Sequence, residues 1–181
     1  MERSVYASDR IMGNEKICVV ESEEQLCSLR LKPEVKHEFA ERLQKKCIGF
    51  IYVHEQQALA WYWAKLASSG IVWHDKYPIQ NSEIFLFAAF VEPSDRGNGL
   101  YRLLSRVAFS HFSSNEDTIQ RKFRILVENR NMISMHINKS LGFSVSRNNY
   151  LVKLFRKTCF SLYTNPFRVY LVLKYEQRNN L

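Results

Sequence analysis

The stretch Val91-Glu92-Pro93-Ser94-Asp95-Arg96-Gly97-Asn98-Gly99-Leu100 reads as a strand that stops and a helix that starts, joined by one tight loop. Upstream, Ile84 to Val91 is apolar on both alternating faces, as expected of a strand buried in mid-sheet, and Glu92-Pro93-Ser94-Asp95 ends it. Downstream, Leu100, Leu103, Leu104, Val107, Ala108 and His111 recur at helical spacing and form one stripe facing a core. Gly97 and Gly99 have no side chain to obstruct a ligand. The first-turn amides, Asn98 to Tyr101, have no acceptor within the helix and sit at the positive end of its dipole. Arg96 adds a guanidinium fork. A phosphate or pyrophosphate held by backbone donors suits this arrangement, although the same residues also make an ordinary glycine turn that starts a helix. There is no third glycine for a G-x-G-x-x-G fingerprint and no Gly-Lys-Ser/Thr of a P-loop.

The rest of the chain reads outward from this junction. Ile17 to Val20 is a short strand, and Ser22 with Gln25 gives a capping-box signal for a helix through Leu29. Pro33 opens a helix to about Lys46, with Val35, Phe39 and Leu43 on one face and charge on the other. Cys47 to Val53 and Ala58 to Leu66 read as a hairpin whose second arm carries Trp61-Tyr62-Trp63. Tyr62 points to one face of that strand and the two tryptophans to the other. Ala67 to Ser82 reads as a loop. After the central helix come a strand, Phe123 to Val127, a helix from about Asn131 to Leu141 closed by Gly142, and strands at Tyr150 to Phe155 and Phe167 to Tyr175. The tally of about seven strands and four helices predicts a single α/β domain of mixed sheet.

At 181 residues, 46% hydrophobic and 24% charged, the chain has the composition of one packed globular domain, which excludes disordered and collagen-like classes. No apolar run approaches the length of a membrane span, and Met1-Glu2-Arg3-Ser4 opens on polar sequence, so the expected location is cytoplasmic. Cys18, Cys27, Cys47 and Cys159 show no metal-ligand spacing and are expected as buried free thiols. Of the net charge of +8, six units lie from Val145 onward. That surplus favours an anionic ligand, but no nucleic-acid-binding signature accompanies it, so no nucleic-acid partner is expected.

The loop resembles the Arg/Gln-x-x-Gly-x-Gly/Ala motif of the GCN5-related N-acetyltransferases, with Arg96-Gly97-Asn98-Gly99-Leu100-Tyr101 departing only at the bulky Tyr101. A second stretch, Asn131, Ser134, Ile137 and Leu141-Gly142-Phe143, is similar to the family's later Asn-x-x-Ser/Ala and Leu-Gly-Phe pattern at the matching separation. The resemblance is close over residues 83–143 and topological elsewhere. It implies a domain over residues 1–181, with 1–15 as an extension and 83–143 as the acetyl-CoA-binding core. Its sheet would be mostly antiparallel, with a central parallel pair that splays into a V. Acetyl-CoA would be the co-substrate, without a metal. The pantetheine arm would pair with the backbone near Phe90 and Val91, and the pyrophosphate would sit on Arg96 to Tyr101.

The resemblance carries proton-handling roles less clearly. Asn138 stands where many members have a tyrosine that protonates the leaving thiolate, and its amide can donate only a hydrogen bond. Asn131 falls at a position that often contacts the CoA arm and equally suits a helix N-cap. Glu83, at the head of the central strand, is similar in place to a glutamate base of the histone-acetylating branch, and a carboxylate at an apolar sheet edge is expected to have a raised pKa. A solvated glutamate at a strand start is the simpler reading. His74 and Tyr62 are the other catalytic candidates, followed by Asp75, His54 and His136, whereas Glu92 only flanks the loop. The expected reaction is acetyl transfer to a primary amine of a small molecule, such as an amino sugar or its nucleotide conjugate. A protein or peptide acceptor and a silent acyl-CoA-binding module are the alternatives. The aromatic arm would line the acceptor pocket, or else form sheet core and a homodimer contact.

Overall fold

The computed structural model describes residues 15–66, 72–74, 77–79, 83–113, 122–128, 130–154, 157–162 and 169–175. Asp75 lies outside them. The chain forms two compact units, one of residues 1–65 with 87–117 and the other of residues 66–86 with 118–181.

In the first unit, β1 (Glu15–Val20), β2 (Cys47–His54) and β3 (Gln57–Leu66) form an antiparallel meander, and the C-terminal half of β6 (Glu83–Val91) lies beside β3. Alternation along these strands explains the two faces. Trp61 and Trp63 project toward α1 (Pro33–Gln44), where Phe39 meets them edge-on with ring centroids 5.2 and 5.0 Å away. Val20, Leu26, Leu43, Cys47, Ile51 and Val53 complete that core. On the other face Phe50 meets His111 and Phe112 of α2 (Leu100–Ser113), and Tyr62 meets Tyr101. The aromatic arm is therefore sheet core, because each ring is covered by a helix. Gly49 is required here for closeness: it pairs across the strands with Trp63, and a Cβ on it would lie 3.0 Å from the indole.

Ser22 and Gln25 start a short 3₁₀ turn, Glu23–Ser28, where the sequence suggests a helix; the Gln25 side-chain oxygen accepts from the Ser22 amide at 3.1 Å. The β2–β3 connection is the two-residue turn Glu55-Gln56, both at positive φ, 47° and 66°. Hairpins prefer Asn-Gly there because the left-handed region costs other residues about 1–2 kcal/mol each. Replacing the pair as Glu55→Asn with Gln56→Gly should stabilise the chain by about 1–2 kcal/mol. Urea denaturation checks this, and an unmoved midpoint would contradict the turn geometry.

In the second unit, Glu83 to Leu86 of β6 pairs in parallel with β7 (Lys122–Glu128). The sheet continues antiparallel through β10 (Val169–Tyr175), β8 (Ser144–Leu154) and β9 (Lys157–Leu162). α3 (Met132–Ser140) follows β7, with Asn131 as its N-cap and Gly142 at φ 94° just past its end. Two elements differ from the sequence reading. The expected loop at 67–82 contains a small hairpin, β4 (Val72–His74) with β5 (Tyr77–Ile79), and β9 is an additional strand. The parallel pair within an otherwise antiparallel arrangement agrees with the expected mixed sheet. Among the described cysteines only Cys47 is buried; Cys18 is half-buried and Cys27 exposed. No helix of the described residues is long and apolar enough to cross a membrane.

Candidate active site

Strand β6 changes character in its middle. Glu83 to Leu86 are buried and paired with β7, and the parallel register ends at Leu86↔Ile125 even though β7 continues to Glu128 in its ladder with β10. Ala88 adopts φ 48°, and Ala88 and Ala89 are exposed in what sequence alone reads as a wholly buried strand. The left-handed backbone at Ala88 comes two residues past Leu86, the last residue in that register. Among the described residues the register of β6 with β7 covers Glu83 to Leu86, and from Phe87 to Val91 the strand belongs to the first unit, where β6 lies beside β3. Phe90 anchors this segment by stacking on Trp61, with centroids 4.2 Å apart and planes 18° off parallel. The Arg96 Nε donates to the Val91 carbonyl at 3.2 Å, folding the loop back on the strand end.

The loop itself consists of a 3₁₀ turn, Pro93–Asp95, and then Arg96 to Gly99. Gly97 and Gly99 have φ 89° and 77°, and a Cβ on either would meet nothing within 4 Å. Backbone conformation demands glycine, and the space beside both is open. The Gly99 carbonyl accepts the first bond of α2, from the Leu103 amide at 3.0 Å, so the helix starts on a residue with no side chain to cap it. Among the described residues, the amides of Gly97, Asn98, Gly99 and Leu100 donate to no protein acceptor. Four such donors at a helix N-terminus, with Arg96 exposed beside them, fit a diphosphate. Leu100 turns its side chain into the core and offers only its amide. On the sheet side of the loop, Asp95 and Asn98 join Tyr52, His54, Leu59, Leu100 and Leu103 around a cavity of about 430 Å³.

Tyr101, the one departure from the loop motif, is accommodated by turning back. Its hydroxyl lies 3.3 Å from that of Tyr62, with ring centroids 5.3 Å apart. Tyr62 is buried, and burial, reinforced by Tyr101, pushes its pKa well above the ordinary tyrosine value. A phenol held neutral and enclosed in this way cannot serve as the base expected of it; it fastens the first turn of α2 to β3.

The remaining candidates are dispersed. Glu83 is 4% exposed, and its Oε1 accepts from Arg124 Nε at 2.8 Å. It is a buried cross-strand ion pair between β6 and β7, in place of a solvated or unpaired carboxylate. Glu83→Gln should therefore cost about 1–3 kcal/mol of stability, because the charge on Arg124 loses its partner. Urea denaturation measures that loss. A large fall in turnover without any loss of stability would instead make Glu83 a proton acceptor.

Asn138 is fully buried, and its amide nitrogen donates to the carbonyl and hydroxyl of Ser134 at 2.8 and 3.2 Å, bracing the helix one turn back. Asn131 is the N-cap of α3, its oxygen accepting from the Ser134 amide at 3.0 Å. His74 pairs with Tyr77 in the β4–β5 hairpin, His136 is exposed on α3, and the Glu92 amide closes onto the Leu59 carbonyl at 2.8 Å. Sequence reasoning passed over Ala88 and also Arg42, whose guanidinium stacks over Trp63 and Phe87. Neither residue type announces such a place.

The fold is that of the GCN5-related N-acetyltransferases. Solved structures with this fold include an IAA acetyltransferase from Bacillus cereus, with a TM-score of 0.57 and 12% identity, covering 90% of this chain and 99% of that one. Arabidopsis thaliana NAA60 in complex with acetyl-CoA gives a TM-score of 0.59 at 15% identity, covering 89% and 98%. A protein from Desulfovibrio desulfuricans described as an acetyltransferase of the GNAT family gives 0.57 at 10% identity, covering 90% and 98%. No family sequence model and no curated protein sequence matches the chain.

Proposed function

We propose that this chain is an acetyl-CoA-dependent N-acetyltransferase acting on a primary amine of a small molecule. The observation that carries this reading is the run of unspent amides from Gly97 to Leu100, just after the part of β6 that lies beyond its register with β7. The two features supply, in sequence order, a strand for an amide-containing arm and a cradle for a diphosphate. Structures of the same fold include one in complex with acetyl-CoA, which supports the choice of co-substrate.

Bound acetyl-CoA supplies an activated thioester. The main chain of Phe87 to Val91 aligns the pantetheine arm, and amides near Val91 donate to the oxygen that becomes negative as the amine attacks. A nitrogen–carbon bond forms, the carbon–sulfur bond breaks, the amine gives up a proton, and the thiolate takes one up to leave as CoA. Tyr62 is enclosed, and the amide of Asn138 has no transferable proton, so neither moves those protons. The acceptor is a small amine, with an amino sugar or nucleotide-linked amino sugar among the classes to try, and the enzyme works as a cytoplasmic protein.

Arg96→Ala should weaken CoA binding by about 1.5–3 kcal/mol, the value of a charge-assisted hydrogen bond. Calorimetric titration with CoA checks this, and an unchanged dissociation constant would mean that the loop does not hold the cofactor. Thiol release with a panel of amines tests turnover itself. Tight CoA binding without amine-dependent release at any pH would replace the enzyme reading by that of a binding module.

A further inference from the structure

We infer that the cavity on the sheet side of the glycine loop receives the adenine of CoA. The inference rests on the CoA-dependent reading, which gives places to the pantetheine and the diphosphate and none to the adenosine. All the residues around the cavity belong to the first unit. Strand alternation builds its floor. Phe50, Tyr52 and His54 share the face of β2 that turns to α2, while Ile51 and Val53 pack into the core against α1. Phe50 lies against His111 and Phe112 near the end of α2, so Tyr52 and His54 run toward its start, where Leu100 and Leu103 join them around the cavity. Leu59 reaches the same place through a β-bulge. Tyr52 pairs with Ala60 and Val53 with Ala58, which leaves Leu59 without a partner across the strands, and a bulge of this kind re-aims a side chain. The enclosed volume, about 430 Å³, falls in the range of about 300–1,000 Å³ typical of small-molecule sites.

Two observations identify the guest. The first is continuity with the diphosphate cradle: Asn98 and Leu100 give their amides to the cradle and also line the cavity, so the two share a wall. A nucleoside attached to that diphosphate is thereby brought to the cavity's mouth. The second is charge. Asp95 lines the cavity and no lysine or arginine does, so the phosphates stay on the amides and Arg96 outside it while the neutral base enters. Leu59, Leu100 and Leu103 supply apolar surface for a flat ring, with Tyr52 and His54 as aromatic neighbours. The Ser94 hydroxyl donates to Asp95 Oδ2 at 2.6 Å, which leaves Oδ1 to accept from an exocyclic amine. Adenine carries such an amine. Hypoxanthine has a carbonyl oxygen at the same position, which a carboxylate repels.

The test is calorimetric titration of the whole chain with CoA, with its hypoxanthine analogue and with phosphopantetheine. CoA is expected to bind about 10- to 100-fold more tightly than the hypoxanthine analogue, and Asp95→Ala should abolish that preference. Leu103→Trp, which fills the cavity from α2, should weaken CoA by about 10-fold or more and leave phosphopantetheine unchanged, with circular dichroism reporting that the variant is folded. Adenosine bisphosphate alone should move the ring resonances of His54 and Tyr52. Equal affinity for the two bases, a preference that survives in Asp95→Ala, a folded Leu103→Trp chain that binds CoA as before or loses phosphopantetheine in equal measure, or unmoved ring resonances would each overturn the inference. The comparison of bases uses the unaltered chain and so decides even where Leu103→Trp does not fold. These failures are distinct from failure of CoA itself to bind, which would remove the acetyltransferase reading along with this one.

Discussion

A chain carrying valine at both Gly97 and Gly99 is expected to bind CoA about 100-fold more weakly, or not at all, while remaining folded. Both residues sit at φ values, 89° and 77°, that a β-branched side chain resists, so the loop must either store strain or rotate its peptides. Rotation redirects the amides of Gly97 to Leu100. Losing even two charge-assisted bonds at about 1.5 kcal/mol each amounts to about two powers of ten in affinity. The space beside each glycine is open, so the substitutions press on no neighbouring atom and the core beneath Leu100 and Leu104 is left intact. Circular dichroism should be unchanged and calorimetric CoA binding lost. Retained affinity in a folded double variant would show that the amides are not the ligand's partners.

The largest expected effect on stability is at Phe39. It is fully buried, it touches both Trp61 and Trp63 edge-on, and through them it joins α1 to β3. Phe39→Ala removes a whole ring between two others, and the rigid indoles cannot collapse to fill the space; the cost should be about 3–5 kcal/mol in urea denaturation. A loss below about 1 kcal/mol would mean that α1 is not seated on these rings.

What sequence conveyed well is what local periodicity encodes. The stripe from Leu100 to His111, the N-cap at Asn131, the glycine after α3 and the glycine loop before α2 each depend on residues within a turn or two of one another, and each is found in place. Residues that depend on register were not legible. Glu83 looked like an isolated carboxylate because its partner, Arg124, is 41 positions away and becomes a neighbour only through the parallel β6–β7 pairing. Tyr101 looked like an obstacle in the loop because nothing local shows that Tyr62, 39 positions earlier, lies beneath it. Asn138 was assigned to the ligand by family position, but its contacts with Ser134 arise from the i−4 geometry of the helix. The β2–β3 turn lacks Asn and Gly, and Ala88 at positive φ has no sequence signature, since both conformations are imposed by the strands around them.

The central claim is that main-chain donors from Gly97 to Leu100 grip the diphosphate of CoA. Amide ¹⁵N–¹H spectra recorded while CoA is added measure those donors one by one. The account predicts that the resonances of Gly97, Asn98, Gly99 and Leu100 shift most, saturate together, and shift less when the diphosphate-free pantetheine fragment is used. Saturable CoA binding that leaves these four resonances in place would contradict it.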